Sequence, residues 1–234
     1  MRAEPDYRVV EVVDERTELA GRAFDLIHAA MWDVQPTSDL LSELEERRRG
    51  LPALGDYHVI ALVDGDGLPV ASAAAVYLEA VDACFITYLA VREDQRGRRL
   101  GRDLRAHLVE AVRAEARRKG RPDLAWTLGE VRSGNRWLRT LVREGRAIPF
   151  DLPYFHPWLP KRAEGKYVLY REPVADHRPE LPANEVAALL YAIWRRAYRI
   201  RYPTQSDTFC YMLERLEGRP TIGCAPGFTD GDAD

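Results

Sequence analysis

Cysteine is scarce in this chain, and long apolar runs and blocks of like charge are missing. Cys84, Cys210 and Cys224 are odd in number and far apart, which argues against a disulfide framework and a Cys-x-x-Cys metal site. No metal is expected, and a reducing cytoplasm is the natural setting. The N-terminal stretch has no apolar signal core, and no run approaches the ~20 residues that cross a bilayer. A soluble, intracellular protein with no membrane partner is therefore expected. Lys and Arg total 34 against 37 Asp and Glu. Beyond the local tracts Arg96–Arg102 and Arg117–Arg121 the arginines are scattered among acids, which speaks against nucleic acid as a partner. Neither Gly-x-Gly-x-x-Gly after an early strand nor Gly-Lys-Ser/Thr occurs, so dinucleotide-binding and P-loop chemistry are excluded. There is no internal repeat.

The 234 residues suit one domain with an appendage or two small domains, and one principal domain is the expectation. Tyr7 to Val13 reads as a strand. Ala20, Phe24, Ile27 and Met31 then recur at helical spacing, and Leu40 to Arg49 forms a second helix closed by Gly50. Apolar runs Tyr57–Val63 and Val70–Tyr77 flank Asp64-Gly-Asp-Gly67, a strong hairpin signal. Cys84–Val91 reads as a strand, and Leu100, Leu104, Leu108 and Val112 mark one face of a long helix ending at Lys119-Gly120. A strand over Leu124–Val131 and a helix from Asn135 to about Glu144 follow. Ala147–Leu152 and Tyr167–Glu172 fit closing strands, with Pro149 confining the former to a sheet edge or bulge. Between them, Pro153 to Pro160 is an aromatic, proline-rich connection that either lines a pocket or seals the sheet.

The most informative stretch is Leu89-Ala-Val-Arg-Glu-Asp-Gln-Arg-Gly-Arg-Arg-Leu-Gly101. A strand runs through a polar turn into a glycine-containing loop that opens a helix. Amides at a helix start have no intrahelical partner and lie at the positive end of the dipole, so they attract anions. Gly97 and Gly101 permit close approach to the backbone, and Arg96, Arg98, Arg99 and Arg102 supply cationic donors.

Leu-x-Val, four residues, then Arg-Gly-x-x-Leu-Gly resembles the acetyl-CoA-binding segment of the GNAT family of N-acetyltransferases. By order of elements the resemblance covers residues 5 to 172. It implies an α/β GNAT fold, a mixed central sheet with splayed parallel strands flanked by helices, here followed by a C-terminal helical extension. It assigns Arg96, Gly97, Arg98, Arg99, Gly101 and Arg102 to the pyrophosphate of acetyl-CoA as cosubstrate, main-chain groups of Leu89 and Val91 to the pantetheine arm, and Asn135 to the cofactor. The Leu89 N–H becomes the oxyanion donor. Arg99 stands where the family has its middle glycine, Val142 where it often has a tyrosine acid, and Thr87 where some members place a glutamate.

Acyl transfer needs a neutral amine held against the thioester, an oxyanion donor and a proton path. Glu130 is the preferred base, against the plain alternative of a strand-end carboxylate paired with an arginine. Tyr154 is the candidate acid and Tyr88 a second, while His156 reads more simply as a loop histidine with a main-chain partner. No residue near Cys84 in the sequence marks it as a nucleophile, so direct attack in a ternary complex is expected.

The expected organisation is an acyl-CoA-binding domain over 1–172, a linker over 173–182, a helical pair over 183–218 and a flexible tail over 219–234. Val186, Leu189, Leu190, Ile193, Trp194 and Ala197 give the pair an apolar face, read as a homodimer contact or an intrachain lid. The resulting expectation is an acetyl-CoA-dependent N-acetyltransferase acting on a primary amine, small-molecule or peptide, with acceptor and acyl length open. The alternative is a non-catalytic acyl-CoA-binding sensor or scaffold.

Overall fold

The computed structural model describes residues 7–51, 56–159, 161 and 166–228. The fold is mixed α/β, with a multistranded mixed sheet flanked by helices. The chain divides into two compact units, one of Met1–Tyr77 with Ile86–Gly120, the other of Leu78–Phe85 with Arg121–Asp234.

In the first unit β1 (Arg8–Glu11) precedes α1 (Glu18–Ala30) and α2 (Thr37–Arg48). The Thr17 hydroxyl caps α1 by accepting from the Ala20 amide, and Ala20, Ala23, Phe24 and Ile27 are its buried stripe. α2 starts at Thr37, ahead of the expected Leu40, with Pro36 at its N-cap position. Next come β2 (Asp56–Val63), β3 (Pro69–Leu78) and β4 (Ala83–Val91), the last shared between the units. β1, β2 and β3 pair antiparallel in that order. The Asp64 carboxylate accepts from the Asp66 and Leu68 amides, and Gly67 at φ +79° closes the hairpin turn. Helix α3 (Leu100–Arg118) buries Leu100, Leu104, Leu108, Val112 and Ala116, which is the periodic face of the sequence extended by one turn.

In the second unit β5 (Trp126–Arg132) is followed by α4 (Arg136–Arg143), β6 (Ile148–Pro149), β7 (Tyr154–Phe155) and β8 (Lys166–Pro173). β8 lies between β5 and β6 and also pairs with β7, all antiparallel. Pro149 thus sits on an edge strand, where its missing N–H costs no ladder bond, but that strand is shorter than expected. Within the aromatic connection Tyr154 and Phe155 form a short rung on β8; Pro160 lies outside the described residues. Then come β9 (Leu181–Pro182), α5 (Ala183–Ala192), a π-helical turn over Ile193–Ala197, α6 (Asp207–Glu214) and β10 (Thr221–Ile222).

The apolar face of α5 is covered within its own unit. Trp194 is buried with its ring 5.1 Å from that of Phe209, while Tyr191 remains exposed. That geometry fits an intrachain element.

Residues 219–228, read as the start of a flexible tail, are instead held down. β10 pairs with β9, the Asp151 amide donates to Gly223, the Ala225 amide donates to Pro149, and Arg219 meets the Asp151 carboxylate at 2.6 Å. Local composition could not report these long-range bonds. Residues 229–234 of the expected tail lie outside the described ones. No helix among the described residues is long and apolar enough to cross a membrane.

Candidate functional site

The candidate residues fall into two groups, one in each unit. In the first unit, β4 ends at Val91, a single turn of 3-10 helix spans Glu93–Gln95, and the chain reaches α3 through Arg96, Gly97, Arg98 and Arg99. Gly97 has φ +82° and Arg99 φ +64°, both left-handed, and Arg99 sits at the N-cap of α3 with no side-chain cap. The backbone at Arg99 therefore adopts the conformation a glycine would ordinarily supply, although an L side chain pays roughly 1–2 kcal/mol for it. The helix start is left with amides that no side chain satisfies, and a left-handed residue before it shapes an anion-holding concavity.

Arg96, Arg98, Arg99 and Arg102 are exposed around this loop. Arg96 Nε donates to the Val91 carbonyl at 3.4 Å, and Arg98 donates to the Gln95 side chain. Gly101 has an ordinary φ. A Cβ there would stand 3.4 Å from Leu89 Cδ2 and 3.6 Å from Val91 Cγ2, so the first turn of α3 rests directly on β4. Leu89 and Val91, half-buried, are brought beside the loop.

Of the fallback groups on β4, Thr87 donates its hydroxyl to the Ala74 carbonyl at 3.1 Å. The Tyr88 hydroxyl accepts from the Gln35 amide at 3.3 Å.

The second unit brings Glu130 and Tyr154 together. Glu130 lies near the end of β5, its side chain 8% exposed. Its Oε1 accepts from the Tyr198 hydroxyl and stands 3.8 Å from His156 Nε2. Tyr154 is fully buried. Burial, and then the nearby Glu130 charge, hold its phenol well above 10.0. The group is thus a proton donor and no base at neutral pH. His156 is buried and its Nδ1 accepts from the Trp158 amide at 3.4 Å, which is the expected main-chain partner; the contact with Glu130 is additional.

Around Glu130 the rings close up. His156 lies 4.9 Å from Tyr198 and 5.5 Å from both Trp158 and Tyr167, and Trp158 stands edge-on to Tyr198 at 5.1 Å. Arg132, two residues on from Glu130, points its Nε at the Tyr167 hydroxyl at 3.4 Å.

Asn135 is the N-cap of α4, its Oδ1 accepting from the Trp137 and Leu138 amides at 2.9 and 3.2 Å. That oxygen is thereby occupied, and the amide nitrogen is the group left for a ligand. Val142 packs against the cluster of Leu138, Leu141, Ala147 and Tyr170. Sequence reasoning missed Tyr198. It follows the apolar face of α5 by one residue, and only a turn wider than α-helix carries it to Glu130.

Residues 24–128 match the sequence model described as the acetyltransferase (GNAT) family. Among curated proteins no sequence match is found. Among solved structures, the ribosomal-protein-S18-alanine N-acetyltransferase of Escherichia coli is similar at 17% identity and TM-score 0.50, over 73% of this chain and 97% of that one. A putative acetyltransferase from Acinetobacter baylyi ADP1 is similar at 13% identity and TM-score 0.50, over 73% of this chain and 94% of that one. At these identities the likeness is one of fold.

Proposed function

Since residues 24–128 make up a GNAT acetyltransferase domain, we propose that the protein is an acetyl-CoA-dependent N-acetyltransferase that joins an acetyl group to a primary amine by direct attack. The observation that carries this reading is the loop before α3, with its two left-handed residues, uncapped helix start and four exposed guanidinium groups. Amides over 97–101 and the side chains of Arg96, Arg98, Arg99 and Arg102 take the pyrophosphate. Main-chain groups of Leu89 and Val91 take the pantetheine arm, Asn135 contributes its amide nitrogen, and the Leu89 N–H meets the developing oxyanion.

Glu130 and Tyr154 divide the proton work. An alkylammonium must lose a proton before it attacks, and the Glu130 carboxylate accepts it. Attack forms the C–N bond, and collapse breaks the C–S bond. Tyr154, held protonated by burial, gives its proton to the leaving thiolate and is reprotonated with the proton that Glu130 took up. The nitrogen loses its second proton to solvent. Ammonium and acetyl-CoA thus become amide, CoA thiol and one released proton. Cys84, Cys210 and Cys224, none of them in a disulfide, fit a cytoplasmic setting and take no part in the transfer.

The test is calorimetry with acetyl-CoA, followed by thiol release across a library of amines. Micromolar binding and amine-dependent CoA release support the reading. Binding without release from any amine turns it toward a sensor or scaffold, and no binding by folded protein overturns it.

A further inference from the structure

A carboxylate as enclosed as Glu130 needs hydrogen bonds to stay ionised. One of its donors comes from the C-terminal segment, beyond the family-matched residues: Tyr198, whose hydroxyl donates to Glu130 Oε1. The placement of Tyr198 is specified in detail. Its amide donates to the Ile193 carbonyl at 3.2 Å, an i to i+5 bond that closes the π-helical turn. The following residue, Arg199, has φ +53°, a left-handed conformation that a non-glycine residue adopts at a cost. Two departures from regular helix therefore flank one side chain, and such departures persist where the surroundings over-determine them, often at functional sites. The ring is fixed by Phe85 at 6.1 Å, His156 at 4.9 Å and Trp158 at 5.1 Å, each edge-on, and Tyr198 is buried. A tyrosine kept only to fill space would not require a hydroxyl aimed at a carboxylate.

We propose that Tyr198 is a positioning residue for the acceptor half of the reaction: it fixes the Glu130 carboxylate in one orientation and in its ionised form, which makes the C-terminal helices part of the catalytic apparatus. The inference rests on the acyltransferase reading of Glu130. The titratable groups facing that carboxylate include Tyr154 of β7, His156 after it and Tyr198, with Tyr167 of β8 reached through the His156 ring. Tyr198 donates to the charged form, so its loss raises the proton affinity of Glu130.

The experiment uses the full chain with 13C-labelled glutamate, the Glu130 resonance being assigned by its disappearance in Glu130→Gln. Tyr198→Phe keeps the ring, and 3-fluorotyrosine placed at 198 keeps the shape with a more acidic hydroxyl. The expected result is a Glu130 titration midpoint raised by about one unit or more in Tyr198→Phe and lowered with fluorotyrosine. The acid limb of the pH profile for CoA release shifts in the same directions, with acetyl-CoA affinity unchanged. A midpoint and acid limb that stay put in both proteins overturn the inference, as does a slower rate with no movement of the limb, which is what mere packing would give. Failure of the acyltransferase reading shows itself separately, as wild-type protein that does not bind acetyl-CoA in calorimetry. If Tyr198→Phe fails to fold, the fluorotyrosine protein alone decides.

Discussion

Tyr170 lies directly opposite Gly129 in the β5–β8 register, and its ring fills the space a side chain at 129 would need. A Cβ at Gly129 would stand 2.7 Å from Tyr170 Cζ, inside any real contact. Gly129→Ala therefore forces the buried ring or the strand to move, at roughly 1–3 kcal/mol. Denaturant unfolding should register that loss, and the same substitution should cost less in a Tyr170→Leu background. Because Glu130 is the next residue, the rate of CoA release should fall as well.

Glu130→Gln keeps the shape and removes the base. CoA release in the presence of a productive amine should drop by about 10²–10⁴-fold, while calorimetric affinity for acetyl-CoA stays at the wild-type value. A variant that keeps its rate would remove Glu130 from the proton path.

The loop before α3 makes opposite demands at two positions. Gly97 at φ +82° has open space around it, so Gly97→Val is penalised by backbone strain and not by a clash. That strain, of order 1–3 kcal/mol, should weaken acetyl-CoA binding by about tenfold or more. Arg99→Gly should leave stability within about 1 kcal/mol of wild type, since glycine accepts φ +64° freely. Affinity then falls only by the loss of one cation.

Much of this loop was legible in the sequence, because anion chemistry at a helix start depends on glycines, arginines and an apolar strand that sit side by side in the chain. The buried stripe Leu100, Leu104, Leu108 and Val112 and the Asp64–Gly67 hairpin were legible for the same reason, each being a local period or turn. The left-handed backbone of Arg99 could not be read from its identity, since residue type sets only a preference for that region and tertiary context can override it. Glu130 and Tyr154 were named from the strand order, but not the company they keep. Tyr198 is 68 positions from Glu130, and its approach depends on a π-turn with no composition signal. The two-residue strands β6 and β7 were equally out of reach, being defined by their pairing with β8 and by no periodicity of their own.

Acid stability of the first unit should turn on Glu11 and His58, whose Oε1 and Nδ1 are 3.0 Å apart. The His58 hydrogen bond, followed by Arg47 acting against the burial penalty, holds Glu11 at about 2, below its ordinary 4.5. Its contribution is full above 4.5 and lost as pH falls toward 2. Burial lowers His58 from 6.5, partly offset by Glu11. The fold therefore favours the neutral ring, and that contribution is full above 6.5 and lost below it. Both effects have the same sign, so the unfolding free energy should rise with pH across the acid range. Urea unfolding in steps from pH 2 to 8 should show it. Glu11→Gln should deepen the loss just below 6.5, because the group that supports a proton on His58 is gone.

The turn over Ile193–Ala197 spaces the chain by i to i+5 where an α-helix would use i to i+4. Deleting any one residue from that turn would restore the tighter pitch and swing everything after it by about 100° around the helix axis. What that stretch encodes is a phase: its length, more than the identity of any residue within it, decides which side chain arrives at Glu130.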